Sequence, residues 1–277
     1  MKPCKHILAI DLGTSGCKCA AVGLDGRVAH WAFEPVELKI IGHNGAEQDP
    51  EDWWQAFLAS ASEVVRLARA DDLELTAICA STQGEGTVPV DRAGKPLSNA
   101  LTWLDMRGGE ALSRVAGTGL MSVSGFNPVK LARWIQLTGG APALSGKDQA
   151  GPMLVIRECW PEIYEKTHQF LNVPDYQNFR LTGRMAATRD SILTSWTTDN
   201  RDPSNIQYNS GLVEILGIDR EKLPEIIDCV DTVGTLLGDV AEAIGLKPGI
   251  PVIAGSIDTS AAAVGSGAVE DGDVHLY

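Results

Sequence analysis

The sequence predicts an α/β protein whose chain opens with antiparallel strands. Three observations carry this. The apolar runs HILAI and CKCAAVGL precede Asp25-Gly26 and then RVAHWAF, and an Asp-Gly pair between apolar runs marks a hairpin. That opening excludes the strand–helix–strand start of a Rossmann domain. A long helical pattern follows, and later short apolar runs read as buried strands.

The elements are expected in this order. Asp49-Pro50 starts a helix, with proline in its first turn and acids at 51 and 52. WWQAFLASASEVVRLARA continues it with apolar residues at helical spacing. TAICAST reads as a buried strand, VPVDRAGKPL as a strand and turn, and LTWLD as a further strand. A helical middle is expected over about 107–182. PVIAG (251–255) reads as a short buried strand, SAAAVGSGAV as a close-packed helix, and GDVHLY as the start of a last strand. A chain that stops in mid-strand reads as a piece of something longer.

A length of 277 residues suffices for one large or two ordinary domains. The net charge of −13 argues against a nucleic-acid or anionic-membrane partner, though not against a nucleotide held in a local pocket. No signal peptide and no membrane span are expected from the apolar runs. The six cysteines, at 4, 17, 19, 79, 159 and 229, form no C-x-x-C pair. Reduced thiols in a cytoplasmic protein are the simplest reading. PALSGKDQAG and GSGAVE fail the phosphate-loop and dinucleotide patterns, and their glycines read as structural.

Four stretches carry chemistry. In DLGTSGCK (11–18), Gly13 and Gly16 allow a tight turn that can aim N–H groups at an anion. Thr14 and Ser15 add hydroxyls, Lys18 a positive charge, and Asp11 a carboxylate suited to hydrated Mg²⁺. A polar hairpin without a ligand explains the same residues. In STQGEGTVPVD (81–91), Gln83 and Glu85 lie beyond a buried strand and share a face if the chain is extended, an amide beside a carboxylate suiting polyol hydroxyls. In LTWLDMR (101–107), Trp103, Asp105 and Arg107 alternate and would line one face. The alternatives are an ordinary loop and a core Trp beside a structural ion pair. Asp258, after PVIAGSI, is either a helix N-cap, in competition with Thr259 or Ser260, or a base presented at a cleft.

Taken together, IDLGTSGCK, AEQDPEDWW, STQGEG, LTWLDMR, PDYQNFRLTG and GIPVIAGSIDTSAAAVGSGAVEDGD resemble the N-terminal half of the FGGY carbohydrate kinases, xylulokinase-like among them. The resemblance covers nearly the whole chain. It implies the actin-like, ribonuclease-H-like fold, with a mixed five-stranded sheet in each of two domains. It implies transfer of the γ-phosphoryl of ATP to a sugar or polyol hydroxyl, with Mg²⁺. Asp258 then matches the catalytic base. Asp11, Gly13, Thr14, Ser15 and Lys18 match the phosphate loop and metal position, and Gln83, Glu85 and Asp105 match positions near the sugar.

The resemblance divides the chain into a sugar-binding domain, 1–258, and the start of a C-terminal nucleotide domain, 259–277, whose remainder is missing. A homodimer is compatible with it. Gln83-Gly84-Glu85 departs from the Gln-Met-His usual in xylulokinases and is closer to glycerol kinase. Two other classes compete: a non-catalytic sugar-binding or regulatory domain that keeps the fold, and an actin-like assembly module, against which the sugar-side residues argue.

Overall fold

The computed structural model describes residues 4–270 and 272–276. Along the chain the strands are β1 (Cys4–Gly13), β2 (Gly16–Gly23), β3 (Val28–Pro35), β4 (Lys39–Ile41), β5 (Gly45–Gln48), β6 (Leu73–Thr82), β7 (Val88–Val90), β8 (Ala100–Leu101), β9 (Gln169–Leu171), β10 (Ala186–Thr188), β11 (Thr198–Asp199), β12 (Gln207–Tyr208), β13 (Glu225–Ile227), β14 (Thr232–Thr235) and β15 (Pro251–Ile257). The helices are α1 (Pro50–Ala70), α2 (Gly109–Gly117), α3 (Pro128–Thr138), α4 (Ala150–Cys159), α5 (Pro161–Lys166), α6 (Val173–Thr182), α7 (Ser210–Leu216), α8 (Gly238–Ile244) and α9 (Asp258–Gly265).

The main sheet runs β14-β15-β6-β1-β2-β3. β1 pairs antiparallel with β2, and β2 with β3, as the opening predicts. β6 lies parallel to β1, and β15 parallel to β6. The sheet is mixed, but it has six strands rather than the expected five. The extra one is β14, a short edge strand antiparallel to β15 that no apolar run announces.

α1 covers this sheet. Asp49 caps it, accepting the Glu51 N–H at 2.9 Å, and Pro50 fills the first turn. Trp53, Phe57, Ala61, Val64 and Ala68 recur at helical spacing and are buried against the inward residues Cys17, Cys19 and Ala21 of β2. A second core, formed by α2, α3, α4 and α7 around Trp134, Leu112, Met153 and Leu212, builds a helical lobe from the 107–182 region and beyond.

Three expectations need correction. LTWLD is not a strand: pairing ends at Leu101, and the Asp105 N–H bonds the Thr102 carbonyl in a turn. The Ala-rich helix ends at Gly265 rather than running on to Val269, and none of its residues is buried. Gly272–Leu276 forms no strand, having no strand beside it among the described residues; Asp271 and Tyr277 lie outside them.

Candidate active site

The first wall of the site is the β1–β2 hairpin. Gly13 pairs with Gly16, which leaves Thr14 and Ser15 as a two-residue turn. Glycine at 16 is a packing requirement, since a Cβ there would lie 2.2 Å from the Glu34 carbonyl oxygen of β3. Asp11 and Lys18 are register partners. Their side chains therefore leave the same face, and Lys18 Nζ donates to Asp11 Oδ2 at 2.6 Å. With side chains 56% and 43% exposed, this pair stabilises the fold by less than about 1 kcal/mol.

The second wall begins where β6 ends. Gln83 is buried, and its polar atoms are engaged. Thr14 Oγ1 donates to Gln83 Oε1 at 3.0 Å, and Gln83 Nε2 donates to Gln48 Oε1 at 2.8 Å. Gln48 Nε2 returns to the Thr14 carbonyl at 2.9 Å, and Trp53 Nε1 also donates to Gln48 Oε1. Trp103 Nε1 completes the chain by donating to Thr14 Oγ1 at 2.9 Å. Trp53 Nε1 can only donate and the Thr14 carbonyl can only accept, so Gln48 must turn its oxygen toward Trp53 and Gln83 Nε2; Gln83 Oε1 then faces Thr14 and takes its hydroxyl proton. Gln83 thus ties the hairpin tip to Gln48 at the end of β5, which in turn holds Trp53 of α1.

Gln83 and Glu85 do not share a face of an extended chain. Glu85 has φ +61°, a left-handed conformation uncommon outside glycine, so the chain turns between them. The turn leaves the Glu85 carboxylate partly buried. Burial, followed by the charge of Asp148, raises its pKa to about 7; Lys147 opposes this and Asp258 adds to it. Asp148 is itself buried and accepts from the Ala143 N–H and from Trp196 Nε1, each at 2.7 Å. The charges of the loop over 142–151 therefore act on Glu85, although none of its residues lines the cavity and its sequence reads as structural.

LTWLDMR divides between the two roles. Trp103 lines the cleft and is 38% exposed. Asp105 is 0% exposed and lies outside the cleft wall. Its Oδ2 accepts from the Ala46 N–H and from Arg107 Nε, each at 2.9 Å, and its Oδ1 accepts from the Arg107 N–H at 3.0 Å. Arg107 also reaches Glu47 at 2.7 Å. The alternation that would have put Trp103, Asp105 and Arg107 on one face is lost because residues 102–105 form a turn.

Asp258 enters from β15. That strand is bulged against β6 between Ile253 and Ser256. Gly255 has φ +74°, and a Cβ there would lie 1.9 Å from the Ala80 carbonyl oxygen, so only glycine fits. Asn178 Nδ2 holds the bulge through the Ala254 carbonyl at 2.7 Å. Beyond it the chain enters α9, with Ile257 at the N-cap position and Asp258 as the first helical residue. Asp258 is therefore not the N-cap.

These parts meet in one cavity of about 790 Å³. It is lined by Asp11, Gly13, Thr14, Ser15 and Lys18 on one side, Gln83, Glu85 and Trp103 on another, and Asp258 with Ala261 and Ala262 at α9. Of the residues singled out in the sequence, Asp105 and Arg107 are set back behind the wall. Among the described residues no three ligating side chains cluster. A metal at Asp11 would take its other ligands from phosphate and water, which is the usual habit of Mg²⁺ and fits a single half-exposed carboxylate. Trp103, read from the sequence as a lining ring, does line the cavity, whereas Lys147, Asp148 and Asn178 were missed and carried no local signal.

Comparison with known proteins agrees with this geometry. Residues 6–136 and 153–265 match the FGGY family of carbohydrate kinases, N-terminal domain. The chain is 28% identical over 278 residues to xylulose kinase of Bacillus subtilis (strain 168), an alignment covering 97% of this chain and 50% of that protein. It is 28% identical over 263 residues to erythritol kinase of Brucella abortus (strain 2308), covering 94% and 48%. The crystal structure of Plasmodium falciparum glycerol kinase with ADP superposes with a TM-score of 0.85 at 21% identity, over 98% of this chain and 52% of that one. This likeness shows the fold, which is actin-like. The chain spans about half the length of the curated relatives it matches.

Proposed function

The chain belongs to the FGGY family of carbohydrate kinases, and from that membership we propose that it is the acceptor-binding half of an ATP-dependent sugar or polyol kinase with Asp258 as general base. The observation that carries this is the cavity itself, where a Gly-Thr-Ser hairpin with Asp11 and Lys18 faces Glu85 and Trp103 across Asp258. No helix among the described residues is long and apolar enough to cross a membrane. The described cysteines 17, 19, 79, 159 and 229 are free thiols, which suits the cytoplasm.

In this reading the acceptor hydroxyl gives its proton to Asp258 as its oxygen bonds to the γ-phosphorus. The bond from that phosphorus to the β,γ-bridging oxygen breaks, and ADP leaves with the electron pair. Gly13, Thr14 and Ser15 cradle the phosphates through N–H and hydroxyl groups, and Lys18 neutralises charge once phosphate displaces its pairing with Asp11. Mg²⁺, when bound, supplies further neutralisation of the phosphates, and Asp11 is the residue that would hold it.

Glu85 orients the acceptor. As a carboxylate it accepts from two adjacent hydroxyls, which favours a neutral sugar or polyol with vicinal hydroxyls and disfavours a sugar acid. Trp103 offers a ring face beside it. Asp105 supports this wall from behind, through the backbone of Ala46 and through Arg107. Xylulose, erythritol and glycerol, the acceptors named for the relatives, all carry vicinal hydroxyls.

The adenosine pocket and a second phosphate loop are assigned to a second half beyond these residues, so the chain alone is expected to turn over little or no ATP. The test is a coupled ADP-release screen of the full-length enzyme against pentuloses, tetritols, glycerol and hexonates. Turnover with a neutral vicinal polyol supports the assignment. Preference for a hexonate, or no turnover with any acceptor, contradicts it.

A further inference from the structure

The helix that carries Asp258 does not cap itself. Ile257 occupies the N-cap position, and its side chain has no polar atom. A carboxylate from 67 residues earlier does the work instead. Asp190 Oδ2 accepts the Ile257 N–H at 2.8 Å, and Asp190 Oδ1 accepts the Ser260 hydroxyl at 2.7 Å. In an ordinary capping box the residues at N-cap and N3 exchange bonds through their own side chains. Here one external side chain spans the N-cap amide and the N3 hydroxyl, and Asp258 stands between these contacts. A negative charge in this place also complements the helix dipole.

Asp190 is in turn held firmly. It precedes the short helical turn Ser191–Ser195. Ser191 Oγ donates to the buried Asp175 at 2.9 Å, and the Ser191 N–H bonds Thr188 Oγ1 at 2.9 Å. Asp175 also accepts the N–H groups of Asn172 and Thr188. α6, which contains Asp175, also supplies Asn178, the residue that grips the β15 bulge. One buried unit therefore holds the strand before Asp258 and the helix after it.

We propose that Asp190 is a positioning residue for phosphoryl transfer, setting the first turn of α9 and thereby the place of the Asp258 carboxylate at the acceptor hydroxyl. The proposal rests on the kinase reading. Its physical content is that a displacement of about 1 Å at a reacting group costs on the order of a hundredfold in rate.

The experiment compares Asp190→Ala and Asp190→Asn in the full-length enzyme, assayed well below their melting temperatures, with hydrogen exchange followed over residues 257–262. Asparagine can keep both contacts, accepting from the Ile257 N–H with its oxygen and pairing with the Ser260 hydroxyl through its amide. The expected result is a kcat lower by about tenfold to a hundredfold for alanine, with KM for the acceptor within about threefold and faster exchange in α9. Asparagine should restore kcat to within about threefold of wild type. In an Asp258→Asn background, alanine at 190 should cost no further rate. Faster exchange with unchanged kcat would overturn the positioning role. Unchanged exchange would overturn the external cap itself. A wild-type enzyme without kinase activity would instead bring down the kinase reading and the catalytic role of Asp190 with it, while the exchange data still decide the cap.

Discussion

On the hairpin wall of the cleft, Asp11 and Lys18 pair across neighbouring strands with about half of each side chain in solvent. On the facing wall Gln83, and behind that wall Asp105, are buried, and their polar atoms are spent on Gln48, Thr14, Ala46 and Arg107. The contrast separates two ways of placing a functional group. In the proposed function, the residues that would meet a charged ligand are left exposed and contribute little to folding. Those assigned to the acceptor side are built into the core, so their loss should damage the fold before it damages the chemistry.

Asp105→Ala is the strongest test of that division. It leaves a partly buried Arg107 with Glu47 as its remaining carboxylate and removes the acceptor for the buried Ala46 N–H, so a loss of about 2–3 kcal/mol is expected in denaturant unfolding. A full-strength fold with only a raised acceptor KM would instead return Asp105 to direct contact with substrate. Gly255→Ala comes next. The added Cβ collides with backbone at positive φ, and destabilisation of roughly 1–3 kcal/mol with reduced kcat is expected, since the bulge sets the path to Asp258. A variant that melts and turns over as wild type would show that the bulge is incidental.

Glu85 lies between the two classes, being partly buried and also in the cleft. Glu85→Gln should lower kcat/KM by about ten- to a hundredfold, the equivalent of losing hydrogen bonds of roughly 1.5–3 kcal/mol to a charged acceptor. Acceptor affinity in the wild type should fall as pH drops below about 7, by about tenfold per unit, because the protonated acid accepts less well. The Gln variant should show no such slope. Stability should move the other way. The folded pKa is raised from 4.5 to about 7, so the folded chain retains the proton, and the stability this group contributes is present below 4.5 and lost as pH rises to about 7. Glu85→Gln should therefore be more stable than wild type at pH 8, with the difference vanishing toward pH 5. Equal melts at both pH values would show that Glu85 is solvated.

Lys18→Met, on the exposed wall, should change stability by less than about 1 kcal/mol while weakening ATP in the full-length enzyme. A larger stability loss would place Lys18 among the structural residues and erase the contrast between the walls.

The same contrast explains what could be read from the sequence. The hairpin was legible because its cause is local: Gly13 and Gly16 flank a two-residue turn, and register alone puts Asp11 beside Lys18. α1 announced itself through Asp49-Pro50 and its apolar spacing. The acceptor wall was not legible in the same way, because an alternation of side chains holds only while the chain stays extended. A turn after Leu101 and a left-handed residue at Glu85 broke both alternations. The Asp190 cap joins residues far apart in the chain, and no local pattern marks it. The edge strand β14 was likewise too short and too polar to stand out.

The most direct test of the central claim compares wild type with Asp258→Asn in the full-length enzyme, measuring coupled ADP release and thermal melting on the same samples. If Asp258 accepts the proton of the attacking hydroxyl, kcat should fall by at least about 10²-fold, with acceptor KM and the melting curve little changed. A variant that keeps its kcat and loses up to about 1 kcal/mol of stability would show Asp258 to be only a first-turn acid that complements the helix dipole, and the cleft would lose its base.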